Sequence, residues 1–166
     1  MIDILFVEAN TSILYQELSK EYSAIEPPTW SLLLAESCRA KGHKVGILDC
    51  NAERLSVEES VTKIEQFDAE IVCFVVYGQN PNSGTTNMAA ASILAKKYKE
   101  EFPNNFTMFI GSHTSAFPKE VLSKKFVDFI SINEGVYTLH DLLKTNKKDH
   151  LDKVRGLGYK MNNQQR

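Results

Sequence analysis

At 166 residues the chain fits one domain, long enough to build a core without disulfide or metal staples. Hydrophobic residues make up 43% of it and the formal charge is −2, with Lys and Arg interspersed among Asp and Glu, so no basic surface for nucleic acid is indicated. No apolar run reaches the length of a membrane span, and the N-terminus opens on a strand pattern instead of a signal peptide, which makes the cytoplasm the default compartment.

Ile2 to Val7 (IDILFV) is a short apolar run that predicts a strand buried on both faces. A long polar connection follows, Glu8 to Pro28, closed by Pro27-Pro28; connections of this length usually carry function. Trp30, Leu33, Leu34, Ser37 and Cys38 then recur at helical spacing, and Gly42 stops that helix. Lys44 to Asp49 reads as a second strand. Ser56-Val57-Glu58-Glu59 is a capping box, and its helix carries Val57, Val61 and Ile64 on one face. Ile71 to Val76 (IVCFVV) is the most apolar strand and the one expected at the centre of the sheet. The polar loop YGQNPNSGTT leads into a helix from about Thr86 to Phe102, with Ala91, Leu94, Ala95, Tyr98 and Phe102 on its inner stripe. Phe106 to Ile110 is the fourth strand. A short helix begins at Pro118, Val127 to Ile132 is the fifth strand, and a helix with Leu139, Leu142 and Leu143 follows Asn133-Glu134-Gly135. Beyond the polar NKKDH, the segment VRGLGYKMNN reads as one last short strand or hairpin.

Five alternations of strand and helix, with crossovers long enough for parallel pairing, predict a three-layer, doubly wound α/β domain with a five-stranded parallel sheet of flavodoxin-like order 2-1-3-4-5. Residues 1–150 form that domain in this reading, and 151–166 form a terminal strand or linker. The cysteines, Cys38, Cys50 and Cys73, are odd in number and lack a CxxC pairing, which argues against a disulfide framework, a zinc site or an iron–sulfur cluster built from this chain alone. All three are read as small packing residues. His43, His140 and His150 read as surface residues.

In an open α/β sheet, ligands bind beyond the carboxyl ends of the strands. Five loops converge there: Glu8-Ala9-Asn10, Asp49-Cys50-Asn51, Tyr77-Gly78-Gln79-Asn80, Gly111-Ser112-His113-Thr114 and Asn133-Glu134-Gly135. Amides, hydroxyls and glycines dominate them, a lining suited to a large polar ligand held by many hydrogen bonds. A Walker loop and a GxGxxG after the first strand are both absent. Asn10-Thr11-Ser12 only faintly echoes the hydroxyl-rich loop of an FMN site, and Val76-Tyr77 replaces the aspartate that a phosphoreceiver needs at its third strand end. Ser112 and His113 are neighbours, yet adjacent loop residues rarely point at each other and no GxSxG elbow is present. Glu134 is as well placed to cap its helix as to touch a ligand. A flavodoxin-like domain binding FMN or a nucleotide-type ligand, and a cofactor-free interaction module, both remain open on these residues.

The segments EPPTWSLLLAESCRAKGHKVGILDCNAE (Glu26 to Glu53), VVYGQNP with the following Thr85-Thr86, IGSHTSAFPKEVL (Ile110 to Leu122), NEGVYTLHDLL (Asn133 to Leu143) and the final VRGLGYK occur in one order and spacing. In these the chain resembles the N-terminal cobalamin-binding domain of cobalamin-dependent radical SAM enzymes, the group of the anaerobic magnesium-protoporphyrin monomethyl ester cyclase and many methyltransferases. The resemblance implies a corrin ring across the carboxyl edge of the sheet and a nucleotide tail threaded into the domain. It assigns the tail to Gly111, Ser112, His113 and Thr114, with Asn133, Glu134 and Gly135 closing the slot. Tyr77, Gly78, Gln79 and Asn80 would lie beneath the ring, and Asn10 and Thr86 complete the cofactor-binding set.

Many such domains carry DxHxxG after the first strand, whose His ligates cobalt; here that loop is EANTSILYQELSKEY, without a His. The resemblance therefore implies cobalamin held base-off with no His from this domain, and no catalytic or metal-ligating residue of the chain's own. The CxxxCxxC of radical SAM chemistry is also absent. The [4Fe-4S] cluster and S-adenosylmethionine would thus belong to a radical SAM catalytic domain acting in cis or in trans, and the chain alone is expected to bind cofactor without turnover. No nucleic-acid or membrane partner is expected.

Overall fold

The computed structural model describes residues 1–14, 26–78, 81–145, 149–161 and 164–165, with the backbone alone at 81–83, 161 and 164–165. The strands are β1 (Ile2–Glu8), β2 (Val45–Asp49), β3 (Ala69–Val75), β4 (Phe106–Ile110), β5 (Phe129–Ser131), β6 (Leu157–Met161) and β7 (Gln164–Gln165). The helices are α1 (Thr29–Arg39), α2 (Val57–Gln66), α3 (Pro81–Glu101), α4 (Ser112–Ala116), α5 (Pro118–Ser123) and α6 (Val136–Lys144). Short 3-10 turns occupy Thr11–Leu14 and Leu151–Lys153.

The sheet runs β2-β1-β3-β4-β5-β6-β7. Its first five strands are parallel, in the order read from the sequence, and β6 returns antiparallel along β5 with Ile130 opposite Gly158. Because side chains alternate across a strand, β1 sends Leu5 and Val7 to one face and Ile4 and Phe6 to the other. The first face is covered by α2, α3 and α5 through Val61, Leu94, Tyr98 and Val121. The second is covered by α1 and α6 through Leu34, Cys38, Leu139 and Leu142. Central strands buried on both sides explain why these runs are continuously apolar.

The capping box forms: Glu59 N–H donates to Ser56 Oγ at 3.2 Å, and Ser56 N–H donates to the Glu59 carboxylate at 2.8 Å. All three cysteines are free and buried. At the amino-terminal edge of the sheet, Asp128 accepts from Thr107 N–H at 2.8 Å and from Lys99 Nζ at 2.6 Å, fastening β4, β5 and the end of α3.

Several local expectations shift. In α1 the buried stripe is Ser31, Leu34, Ala35 and Cys38, while Leu33 is 58% exposed. Ser31, although polar, is buried on this stripe and donates to the half-buried Glu8 carboxylate. Pro81 opens α3 earlier than Thr86, as suits a residue whose missing N–H costs nothing in the first turn. The hydroxyl run after Gly111 is a short helix rather than a loop. His43 and His140 are half-buried instead of on the surface: His140 Nε2 lies 2.7 Å from Ser37 Oγ, and His43 Nδ1 lies 3.4 Å from the Asp3 carboxylate.

Candidate functional site

Parallel strands bring their carboxyl ends to one crest, and the crest divides into two halves. On the β1–β2 half, Glu8 ends β1 and accepts a 2.6 Å hydrogen bond from Ser31 Oγ on α1. Burial pushes the Glu8 carboxyl up to about 7; the Ser31 hydrogen bond opposes this and the Asp49 charge adds to it. Asp49 accepts from the N–H groups of Asn51 and Ala52 at 3.1 and 2.9 Å, closing the turn after β2. Asn10 is buried; its amide donates to Leu55 O at 2.9 Å and accepts from Ser12 N–H at 3.0 Å and Ser12 Oγ at 2.7 Å. The side chains of Glu8, Asn10 and Asp49 thus bond within this half.

On the β3–β5 half, Gly111 follows β4 with φ 151, and a Cβ there would lie 2.5 Å from the Val76 carbonyl. The close approach that this glycine permits is to the end of β3. Ser112 is exposed at the start of α4, with Gly84 of α3 so near that a Cβ on it would stand 2.7 Å from Ser112 Oγ. His113 packs its ring against Phe117, 5.2 Å between centroids. Thr114 is buried, its hydroxyl without a hydrogen-bond partner.

The next residue, Ser115, ties two loops together. Its hydroxyl donates to Gly111 O at 3.0 Å and accepts from Asn133 N–H at 2.9 Å. From the other side Tyr77 OH donates to Asn133 O at 3.0 Å. Asn133, at φ 64, is thus held at both its N–H and its carbonyl, while its side chain stays exposed. Tyr77 also stacks on Trp30, 4.4 Å between centroids and 21° between planes, and burial pushes its hydroxyl up to about 12. Gly135 caps α6 in the left-handed region at φ 76, where a Cβ would collide with Ile110 Cδ1 and stand 2.7 Å from Ser131 Oγ.

These residues bound a cleft of about 810 Å³, lined by Tyr77, Ser112, Ser115, Asn133, Glu134, Gly135, the first turn of α6, and Arg155-Gly156 from the segment before β6. Of the expected site residues, Tyr77, Ser112, Asn133, Glu134 and Gly135 meet on it. Gly111, His113 and Thr114 belong to the adjoining α4 turn and Thr86 lies on α3. Gly78 is half-buried beyond the end of β3, and Asn10 lies in the other half of the crest. Gln79 and Asn80 lie outside the described residues. Ser115, Arg155 and Gly156 also line the cleft, outside the expected cofactor-binding set. Ser115 could have been found three positions after Ser112 on one helix face, but nothing local marks Arg155, which only the return of β6 along β5 brings there.

The family described as B12 binding domain matches residues 19–143. The chain belongs to the B12-binding domain family. No curated protein matches it. Among solved structures, this B12-binding domain superposes on the cobalamin-dependent S-adenosylmethionine radical enzyme OxsB with aqua-cobalamin and S-adenosylmethionine bound, at TM-score 0.70 and 19% identity. It superposes on the radical S-adenosylmethionine methyltransferase TsrM from Kitasatospora setae at TM-score 0.73 and 13% identity. These matches cover 100% and 99% of this chain but 22% of OxsB and 30% of TsrM. They establish the shared fold, in which this B12-binding domain corresponds to a fraction of a longer enzyme. Among the described residues no helix is long and apolar enough to cross a membrane, and no group of three or more His, Cys, Asp or Glu could hold a metal ion.

Proposed function

We propose that the chain holds cobalamin, base-off and with no His ligand of its own, as the cofactor domain of a radical SAM methyltransferase or cyclase. The observation that carries this is the cleft on the β3–β5 half of the crest, in a chain whose family binds B12. Its size is that of a small-molecule site, and its donors are largely neutral hydroxyls and backbone groups, as an amide-rich corrinoid with one ionised phosphate requires. Beneath it Ser131 Oγ is buried without a partner, at the point where Gly135 leaves room for no side chain.

Tyr77, Ser112, Ser115 and Asn133 would hold the nucleotide tail, and the stacked Trp30–Tyr77 pair would support the ring. When bound, the cofactor supplies a cobalt centre able to carry a methyl group or an electron. The chain contributes position: the Ser115–Asn133–Tyr77 hydrogen bonds fix the slot before the ligand arrives, which lowers the ordering cost of binding. The reading of a lower face without a protein His rests on residues 8–28, which contain no His, and on His113 being packed on Phe117 after β4. A [4Fe-4S] cluster and S-adenosylmethionine would sit on a separate catalytic domain, the part of OxsB and TsrM that this chain does not span.

The test is optical. The chain is mixed with hydroxocobalamin, desalted, and its visible spectrum recorded. Retained corrinoid with a base-off spectrum is the expected result. Complete separation of colour from protein would overturn the reading, and nitrogen superhyperfine splitting from a protein ligand in the EPR spectrum of the cob(II)alamin form would overturn its ligand-free lower face.

A further inference from the structure

We propose that the first turn of α1 is a proton-controlled latch on the cleft. With Glu8 protonated it holds the Trp30–Tyr77 wall in place, and with Glu8 ionised it lets that wall go. Its effect on a corrinoid rests on the cobalamin reading above, whereas the latch itself is a property of the free chain.

Two neighbouring residues of this turn reach two different strands. Ser31, fully buried, donates to the Glu8 carboxylate at the end of β1 at 2.6 Å. Trp30 stacks on Tyr77, just beyond β3, with 4.4 Å between ring centroids. Tyr77 lines the cleft and hands the contact on: its hydroxyl donates to Asn133 O at 3.0 Å, while Asn133 N–H donates to Ser115 Oγ at 2.9 Å. A short run of contacts thus leads from Glu8, which does not line the cleft, to residues that shape it.

Little else fastens the turn. Its N-cap is Pro28, which makes no side-chain cap, and its first turn holds no acidic residue. Two backbone bonds close it, Thr29 N–H to Pro27 O at 2.7 Å and Leu32 N–H to Pro28 O at 2.9 Å. Leu32 and Leu33 are exposed, so the next residue after Ser31 to enter the core is Leu34. Opening free energies approach zero at helix ends, and a modest bias there moves a population.

Glu8 supplies the bias. Its carboxylate is half-buried, and the Asp49 carboxylate on β2 opposes its ionisation. From β3 the Cys73 thiol lies close, but burial pushes it well up and it stays neutral. Burial likewise pushes Cys38 on α1 up to about 12, and Tyr77, faced by Glu134, up to about 12. The Glu8 carboxyl itself is raised, by burial above all, from 4.5 to about 7. The latched turn therefore holds the proton more tightly than an open turn in which Glu8 meets water. That advantage is complete below about pH 4.5 and is lost as pH rises through about 7. Between pH 6 and pH 8 opening becomes about tenfold easier.

Trp30 is the single tryptophan of the chain, so its fluorescence reports the latch directly. Acrylamide quenching is followed from pH 5 to pH 9 in the full chain for wild type, Glu8→Gln and His140→Gln. Glu8→Gln keeps an acceptor for Ser31 and cannot ionise; His140→Gln controls for the imidazole that contacts Ser37 on the same helix. Quenching should rise about twofold between pH 6 and pH 8 in wild type and His140→Gln, and stay flat in Glu8→Gln. Amide exchange at Leu32, corrected for its intrinsic pH dependence, reads the same opening when it is rare. There wild type should lose about tenfold in protection over that range and Glu8→Gln none. Matching profiles of wild type and Glu8→Gln in both measurements overturn the latch. So does Leu32 protection equal to that of the β3 amides, which makes the opening global. Hydroxocobalamin affinity of wild type relative to Glu8→Gln should fall about threefold to tenfold from pH 6 to pH 8, and a constant ratio overturns the link to the cleft. If neither protein holds the corrinoid at any pH, the cobalamin reading fails by itself, and Trp30 and Leu32 still decide the latch.

Discussion

The two halves of the crest are built from similar residue types and end in opposite states. Around β1 and β2 the polar side chains close on one another: Ser31 on Glu8, Asn10 on Leu55 and Ser12, Asp49 on the turn after it. Around β3 to β5 the hydrogen bonds run between loops, from Tyr77 and Ser115 to the backbone of Asn133, and leave a cleft with exposed side chains on its rim. Polar loop composition therefore marks the ligand edge of such a sheet without saying which half is free to bind. What separates the halves is that the bonds of the first join side chains such as Ser31, Glu8 and Asn10 to one another and to Leu55, whereas those of the second hold the backbone of Asn133 and leave side chains on the rim of a cleft.

The comparison is tested hardest at Gly111. Its substitution by Ala puts a Cβ 2.5 Å from the Val76 carbonyl at a backbone angle that other residues rarely adopt. A loss of about 3 kcal/mol in folding stability is expected, read from the denaturant midpoint. A change under about 0.5 kcal/mol would mean that β3 and β4 are not clamped there.

The next effect belongs to the other half. The Glu8 carboxyl is raised from 4.5 to about 7, so the folded state holds its proton more tightly than the unfolded chain. That stabilisation is fully present below about pH 4.5 and is lost as pH rises through about 7. Glu8→Gln removes the dependence, and the variant should gain up to about 3 kcal/mol on wild type between pH 5 and pH 8. Parallel pH–stability curves for the two proteins would show that Glu8 is solvated like an ordinary carboxylate.

Asn10→Ala deletes a buried hydrogen bond to Leu55 O and should cost about 1–2 kcal/mol of stability while leaving cobalamin affinity within about twofold. A larger loss of affinity than of stability would put this residue in the binding half. Tyr77→Phe is the mildest change. Removing the bond to Asn133 O should cost about 1 kcal/mol and raise hydrogen exchange at residues 132–135, with the Trp30 stack preserved.

The fold was legible because its signals are local. Continuous apolar runs give doubly buried strands, Ser56 and Glu59 form the cap they spell, and helical crossovers impose parallel order. The site was legible as an edge, and the Asn133-Glu134-Gly135 turn and Tyr77 do reach the cleft. Three features were not legible, each for a nonlocal reason. Ser31 faces inward with its hydroxyl bonded to Glu8, 23 residues away. Gly111 reads equally well as room for a ligand or room for Val76, and only the β3–β4 register decides. Arg155 joins the cleft through an antiparallel return that no parallel α/β pattern foretells.

Hydrogen–deuterium exchange of the chain with and without hydroxocobalamin tests the division of the crest most directly. The account predicts slowed exchange over residues 112–116, 132–138 and 154–157, with residues 50–56 unchanged. Protection confined to residues 9–12 and 50–56, with the Asn133–Thr138 segment exchanging as in the free chain, would contradict it.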